Sequence, residues 1–164
     1  MRTVFPLLAA LSLLTGCAKT TAYDFFKIDA QHERAVSNLR TATIVKEKET
    51  KAIISSIYLN RVMPESYSGN DVFYIALYLP KSSELFSEEG EEIEGNQLLL
   101  NKMHPVAVKN ADENETLRSL MPVKNDWNRY YIVEFAAPEE NLLTLTLESD
   151  QYGQAHLIYQ RDDE

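Results

Sequence analysis

The chain has 164 residues, 45% of them hydrophobic, and carries 25 acidic against 16 basic residues for a formal charge of −9 at pH 7. So acidic a balance argues against nucleic-acid binding, where phosphate contacts dominate affinity, and against electrostatic adhesion to anionic headgroups; solubility is its plain reading. A single cysteine excludes any intramolecular disulfide, and the length suits one domain whose core needs no staples.

Residues 1–16 have the layout of a cleaved signal peptide. Arg2 gives a short positive start, Val4 to Leu14 is an apolar run interrupted by Pro6 and Ser12, and small residues lead to Cys17. The run falls short of the roughly 20 residues that a spanning helix needs. Leu14-Thr15-Gly16-Cys17 resembles the lipobox of bacterial (prokaryotic membrane) lipoproteins, in which a branched apolar residue, a small residue and Gly or Ala precede an obligatory Cys. The resemblance covers the leader alone. It implies diacylglycerol on the Cys17 thiol, cleavage between Gly16 and Cys17, and fatty acylation of the new amine. Two or more chains anchor stably where one does not. Ala18 follows the cysteine where an inner-membrane protein often has Asp, so the resemblance favours the outer membrane. The expectation is a cell-envelope protein held on a membrane through lipid on Cys17. Lipidation would also remove a thiol otherwise prone to oxidative dimerisation. An ordinary leader with an incidental cysteine is the plainer alternative.

Removing sixteen residues from 164 leaves 148. Residues 17–22 are expected to be a lipidated polar tether, followed by a single domain over 23–164. Its first element is a helix over 23–39, opened by the capping box Thr21-x-x-Asp24. Phe25, Ile28, His32, Ala35, Val36 and Leu39 form one stripe at helical spacing. Thereafter the period is two. Strands are expected over Thr41–Lys48 and Lys51–Val62, turning at Glu49-Thr50, and over Asp71–Leu79, ended by Pro80. Further strands are expected over Gln97–Met103, Pro105–Lys109, Asn128–Phe135, Leu142–Glu148 and Gln154–Gln160. Leu117, Leu120 and Met121 suggest one helical turn.

Seven or eight short antiparallel strands with turn signals between them predict a mainly β fold. The expectation is an immunoglobulin-like antiparallel β-sandwich with one N-terminal amphipathic helix. The mature region weakly resembles uncharacterised lipoproteins with such sandwiches, without a diagnostic motif. Trp127, before a Tyr-rich strand, is compatible with the core of such a fold.

Four sets of residues are candidates for chemistry. Glu84, Glu88, Glu89, Glu91, Glu92 and Glu94 crowd one loop, but their spacing fits no calcium loop; a solvated, mobile loop is expected. His32, His104 and His156 show no zinc-ligand spacing. His32 is expected half-buried on its stripe, His104 in a turn and His156 facing outward. No nucleophile elbow, S-x-x-K or phosphate-binding glycine loop occurs, so no catalytic residue, metal or cofactor is expected. Of the nine tyrosines, Tyr74 and Tyr78 share a strand face, with Tyr58 and Tyr130 on neighbouring outward faces. Such a row suits protein or glycan recognition, though tyrosines also cover sheets beneath helices. Asp112-Glu113-Asn114-Glu115-Thr116 contains an asparagine sequon and resembles the extended acidic form of bacterial periplasmic glycosylation, which makes Asn114 a candidate N-glycosylation site.

These features favour a noncatalytic binding or envelope-assembly module, adhesin-like, with an envelope protein or glycan as partner and no nucleic acid. The alternative is a periplasmic hydrolase or metal-dependent enzyme using carboxylates and histidines. Converging His and Glu in a concave pocket would favour the second.

Overall fold

The computed structural model describes residues 22–80, 85–87, 89–122 and 125–161, with side-chain surroundings from residue 30 onward. The leader, Cys17, Thr21, Glu84 and Glu88 lie outside the described residues. The chain divides into two compact units, Met1–Ala30 and Gln31–Glu164. The described part of the first is helical, and the helix α1 runs over Ala22–Asn38. Every strand belongs to the second unit.

Among the described residues, eight strands form two antiparallel sheets: β1 (Leu39–Lys46), β2 (Glu49–Tyr58), β3 (Asp71–Tyr78), β4 (Asn96–Leu100), β5 (Ala107–Asn110), β6 (Arg129–Phe135), β7 (Leu142–Ser149) and β8 (Gly153–Gln160). The first sheet has the order β1-β2-β3-β6-β5 and the second β4-β7-β8. Two short helices interrupt the strands, α2 (Leu59–Val62) and α3 (Glu115–Leu120).

Two turns fall elsewhere than the sequence suggests. The β1–β2 turn is Glu47-Lys48, not Glu49-Thr50. Both turn residues are left-handed, with φ of +56° and +66°, as a two-residue type I′ hairpin requires. Glu49 and Thr50 instead open β2. The strand expected over Gln97–Met103 ends at Leu100, because Asn101 and Lys102 are also left-handed. Leu100 and Met103 exchange backbone hydrogen bonds of 2.9 and 2.8 Å across that turn. The Asn101 side chain then accepts from Thr144 N at 2.7 Å and donates to the Leu142 carbonyl at 3.0 Å, tying the turn to β7.

The main core joins the two sheets. Ile54, Phe73, Ile75, Val133 and Phe135 meet Leu98, Leu100, Leu143, Leu145, Leu147, Leu157 and Tyr159, all fully or almost fully buried. A second core covers the other face of the larger sheet, where Ile57, Tyr74 and Tyr130 pack with Leu59 and Val62 of α2, Leu117 and Leu120 of α3, and Ala35. Strand β3 is therefore buried on both faces, from Asp71 through Leu77. The expected outward face of β3 lies under this second core.

His32, Val36 and Trp127 are more exposed than the sequence suggests. His32 is exposed, and Val36 on the same stripe is 47% exposed. Among the described side chains of the stripe, Ala35 and, partly, Leu39 reach the second core. Trp127 is 78% exposed in the loop before β6, so it belongs to no core.

The acidic segment folds back on itself where it is described. Leu85 and Phe86 enter the main core, Ser87 N bonds the Glu91 carbonyl at 2.8 Å, and Ile93 N bonds the Leu85 carbonyl at 3.0 Å. This small hairpin is anchored by two apolar side chains, while Glu89, Glu91 and Glu94 stay exposed, as expected for a solvated segment. It also closes the free edge of β4. The outward N–H groups of β4 are all taken: Asn96 by the Ile93 carbonyl at 3.2 Å, Leu98 by the Glu92 carboxylate at 2.9 Å, and Leu100 by Met103. Gly90 abuts the Val108 carbonyl on β5, where an added Cβ would stand 2.7 Å from the oxygen. Open edges invite pairing with other strands; the β4 edge is closed to it, and β5 is approached at Val108.

Candidate binding groove

The register of β3, β6 and β5 sets the groove. Directly opposed residues on one sheet face form rows with Cβ atoms about 5 Å apart. Ala76, Tyr130 and the neighbouring Ala111 form one row, under α3. Tyr74, Ile132 and Lys109 form the next, and Val72, Glu134 and Ala107 the last. The last row lies beyond α3 and faces the loop that carries Ser66, Tyr67, Ser68 and Asn70. Together these residues line a groove of about 280 Å³.

The loop is held by its own bonds. Ser66 N and Tyr67 N both donate to the Met63 carbonyl, at 3.0 and 3.1 Å. Asn60, on α2, donates to the Asn70 carbonyl at 2.7 Å and accepts from Val72 N at 2.8 Å, locking the loop to the start of β3. Asn70 Nδ2 in turn donates to Glu134 Oε1 at 2.6 Å. The Tyr67 ring is half-buried against the second core, and burial pushes its hydroxyl pKa up. Lys109 is exposed at the rim, and no ion pair is found for it among the described residues.

Chemically, the groove has an apolar floor of Val72, Ile132 and Ala107 and one aromatic wall, Tyr67. Ser66, Ser68 and Asn70 line it beside Glu134 and Lys109. Small-molecule sites are mostly apolar with a few placed polar groups and run from about 300 Å³ upward. This groove, at about 280 Å³, sits just under that range.

The tyrosines singled out from sequence lie elsewhere. Tyr74 is fully buried, stacked on Tyr130 with ring centroids 6.0 Å apart. Tyr78 is half-buried at the far end of β3. Tyr58 and Tyr130 are buried as well. The expected exposed row does not form, because that face carries the second core. The histidines do not converge. His104 pairs with Glu92 at 2.6 Å, and His156 with Thr146 Oγ1 at 3.0 Å. Among the described residues, no group of three His, Cys, Asp or Glu could hold a metal ion. A second depression, about 340 Å³, includes Glu92, His104 and Val106, but the Glu92 carboxylate is already engaged by the β4 edge and His104. Asn114 is exposed at the start of α3, where its side chain accepts from Leu117 N at 3.0 Å.

Sequence reasoning missed Tyr67, Asn70, Lys109 and Glu134. The available signals were a Ser-, Gly- and Asn-rich stretch leading into β3 and a carboxylate between Val133 and Phe135 of β6. Comparison with family models, curated proteins and solved structures finds no match for the chain.

Proposed function

We propose that the protein is a lipid-anchored, noncatalytic binding module of the bacterial cell envelope, held through Cys17 and engaging an envelope glycan or protein through the groove between Tyr67 and Glu134. The observation that carries the binding reading is that groove, lined by Ser66, Ser68, Asn70, Lys109 and Glu134 over an apolar floor. Its carboxylate is oriented by Asn70. The edge of β4, whose outward N–H groups are all bonded, is closed to strand addition. The address rests on the lipobox resemblance of Leu14-Thr15-Gly16-Cys17, with Ala18 favouring the outer membrane.

We further propose that the sandwich is immunoglobulin-like. The support is its strand order. With β1 set aside as an added edge strand, β2-β3-β6-β5 against β4-β7-β8 has the order ABED against CFG of the seven-stranded constant arrangement. The cysteine pair of antibody domains is absent, since Cys17 is the sole cysteine.

Two measurements test the proposal. Metabolic labelling with a fatty acid is expected to mark the wild-type chain and not Cys17→Ser; label on the variant overturns the anchor. Crosslinking in intact cells from a photoreactive residue at Ser68 is expected to capture neighbours that are lost in Glu134→Lys and Lys109→Glu. Folded variants that keep every neighbour overturn the groove.

A further inference from the structure

The geometry points to Asn114 as a site of N-linked glycosylation, occupied before the α3 corner closes and tolerated after it. This rests on export, and so on the proposed envelope location. Asp112-Glu113-Asn114-Glu115-Thr116 supplies the sequon and an acidic residue two positions before it. Glu113, Asn114, Glu115 and Thr116 are all exposed. Asn114 itself lies outside the helix, with φ −79° and ψ 88°.

The two ends of the Asn114 amide have different duties. Oδ1 accepts from Leu117 N and caps α3. Nδ2 has no partner among the described residues and is the atom a glycan would occupy. In the transfer, Nδ2 loses one proton and bonds C1 of the first sugar. The bond from C1 to the pyrophosphate of a lipid-linked oligosaccharide breaks, and the lipid pyrophosphate leaves. The carbonyl oxygen is untouched, so the helix cap survives modification.

The acid two positions earlier fixes the timing. In the folded chain Asp112 Oδ1 accepts from Tyr130 N at 2.8 Å and Oδ2 from Asn110 Nδ2 at 3.1 Å. Both oxygens are committed to the corner between β5 and β6, so a transferase that reads this carboxylate must meet it beforehand. Helix α3 has six residues, too few to persist without tertiary packing. The segment is therefore open until the second core forms, and then closes with Asn114 on the outside.

The test is peptide mass analysis of full-length protein from its own host. Trypsin releases Asn110–Arg118, which holds this sequon and no other. The expected result is a hexosamine-led addition on that peptide, lost in Asn114→Gln and in Thr116→Ala; the second variant keeps the Asn114 cap. A further expectation is that purified, folded, unmodified protein is a poorer acceptor for a bacterial oligosaccharyltransferase than the same protein unfolded in urea and diluted into the assay. The N-terminal peptide is read in the same digest. A lipidated Cys17 with a bare Asn110–Arg118 peptide overturns the glycosylation site and leaves the anchor standing. An addition that persists in Thr116→Ala, or folded protein accepting as well as unfolded, also overturns the inference.

Discussion

The Tyr58 hydroxyl donates to Asp71 Oδ1 at 2.5 Å in the interior, and the Arg161 guanidinium donates to Oδ2 of the same carboxylate at 2.5 Å. Tyr58 ends β2, Asp71 begins β3, and Arg161 follows β8, so three side chains clamp the end of the smaller sheet onto the larger. Arg161 also donates to the Pro138 carbonyl at 3.0 Å. The Asp71 bond raises the guanidinium pKa above its ordinary value. Removing one partner of a buried ion pair costs about 3–5 kcal/mol, because the other charge is left unpaired. Arg161 is about a quarter exposed, so water would rescreen Asp71 in part. Arg161→Leu is expected to cost about 2–3 kcal/mol, or about 4–12 °C in Tm, in chemical and thermal unfolding. An unchanged midpoint would show that the clamp is not structural.

Tyr74 poses the opposite problem. Its ring is fully buried in the second core, and its hydroxyl has no hydrogen-bond partner among the described residues. An unpaired buried hydroxyl costs about 1–3 kcal/mol. Tyr74→Phe keeps the ring and its stack on Tyr130, and is therefore expected to stabilise the fold by about 1 kcal/mol. Urea unfolding decides it; a loss of stability would reveal a partner for the hydroxyl.

Tyr58, Tyr74 and Tyr159 all have hydroxyl pKa values raised above the ordinary range, first by burial, with the Asp71 bond adding to the effect at Tyr58. A raised pKa in the folded state means that the folded chain keeps protons that the unfolded chain releases. The stability these groups contribute is intact below the unfolded value of about 10 and is lost as pH rises above it. With these three residues, stability is expected to be flat through pH 9 and then to fall ever more steeply, the slope approaching about 4 kcal/mol per pH unit well above pH 10. Denaturation midpoints between pH 8 and 11 test this, and Tyr74→Phe should shallow the fall by about a third.

The strands were legible because their alternation reflects burial directly. In β7, Leu143, Leu145 and Leu147 face the core as their period of two implies. The second core was not legible, because α2 and α3 are too short to show a helical period. Without them, the outer face of β3 looks like a surface and Tyr74 like a recognition residue. The groove was hidden for a related reason. Lys109 and Glu134 are 25 positions apart, and only the pairing of β5 with β6 brings them to neighbouring rows. The Asn114 sequon was visible outright, whereas the commitment of the Asp112 carboxylate to Tyr130 depends on the fold.

Gly90 and Gly69 separate backbone strain from packing. Both are left-handed, at φ +85° and +91°, but a Cβ at Gly69 would meet open space while one at Gly90 would strike the Val108 carbonyl. Left-handed backbone costs a non-glycine residue about 1–2 kcal/mol. Gly69→Ala is expected to lose that amount alone, and Gly90→Ala about 1–3 kcal/mol more for the overpacking. Amide exchange at β5 should accelerate only in Gly90→Ala. Equal losses would mean that the acidic hairpin does not brace that edge.

The Glu47-Lys48 turn offers a gain in stability without any change to a core. A type I′ turn needs positive φ at both central residues, which Asn-Gly adopts most readily. Glu47 and Lys48 are both exposed and in that conformation, so the present pair is strained by about 1–2 kcal/mol per residue. Replacing them removes no buried contact. The neighbouring Lys46, which donates to the Gln151 carbonyl at 2.6 Å, is left in place. Glycine adds freedom to the unfolded chain and returns up to about 1 kcal/mol of the gain. The double variant Glu47→Asn with Lys48→Gly is therefore expected to stabilise the fold by about 1 kcal/mol in urea unfolding, with the slope of the transition unchanged. A loss of stability would place the turn at other residues, such as the Glu49-Thr50 pair that the sequence pattern suggested.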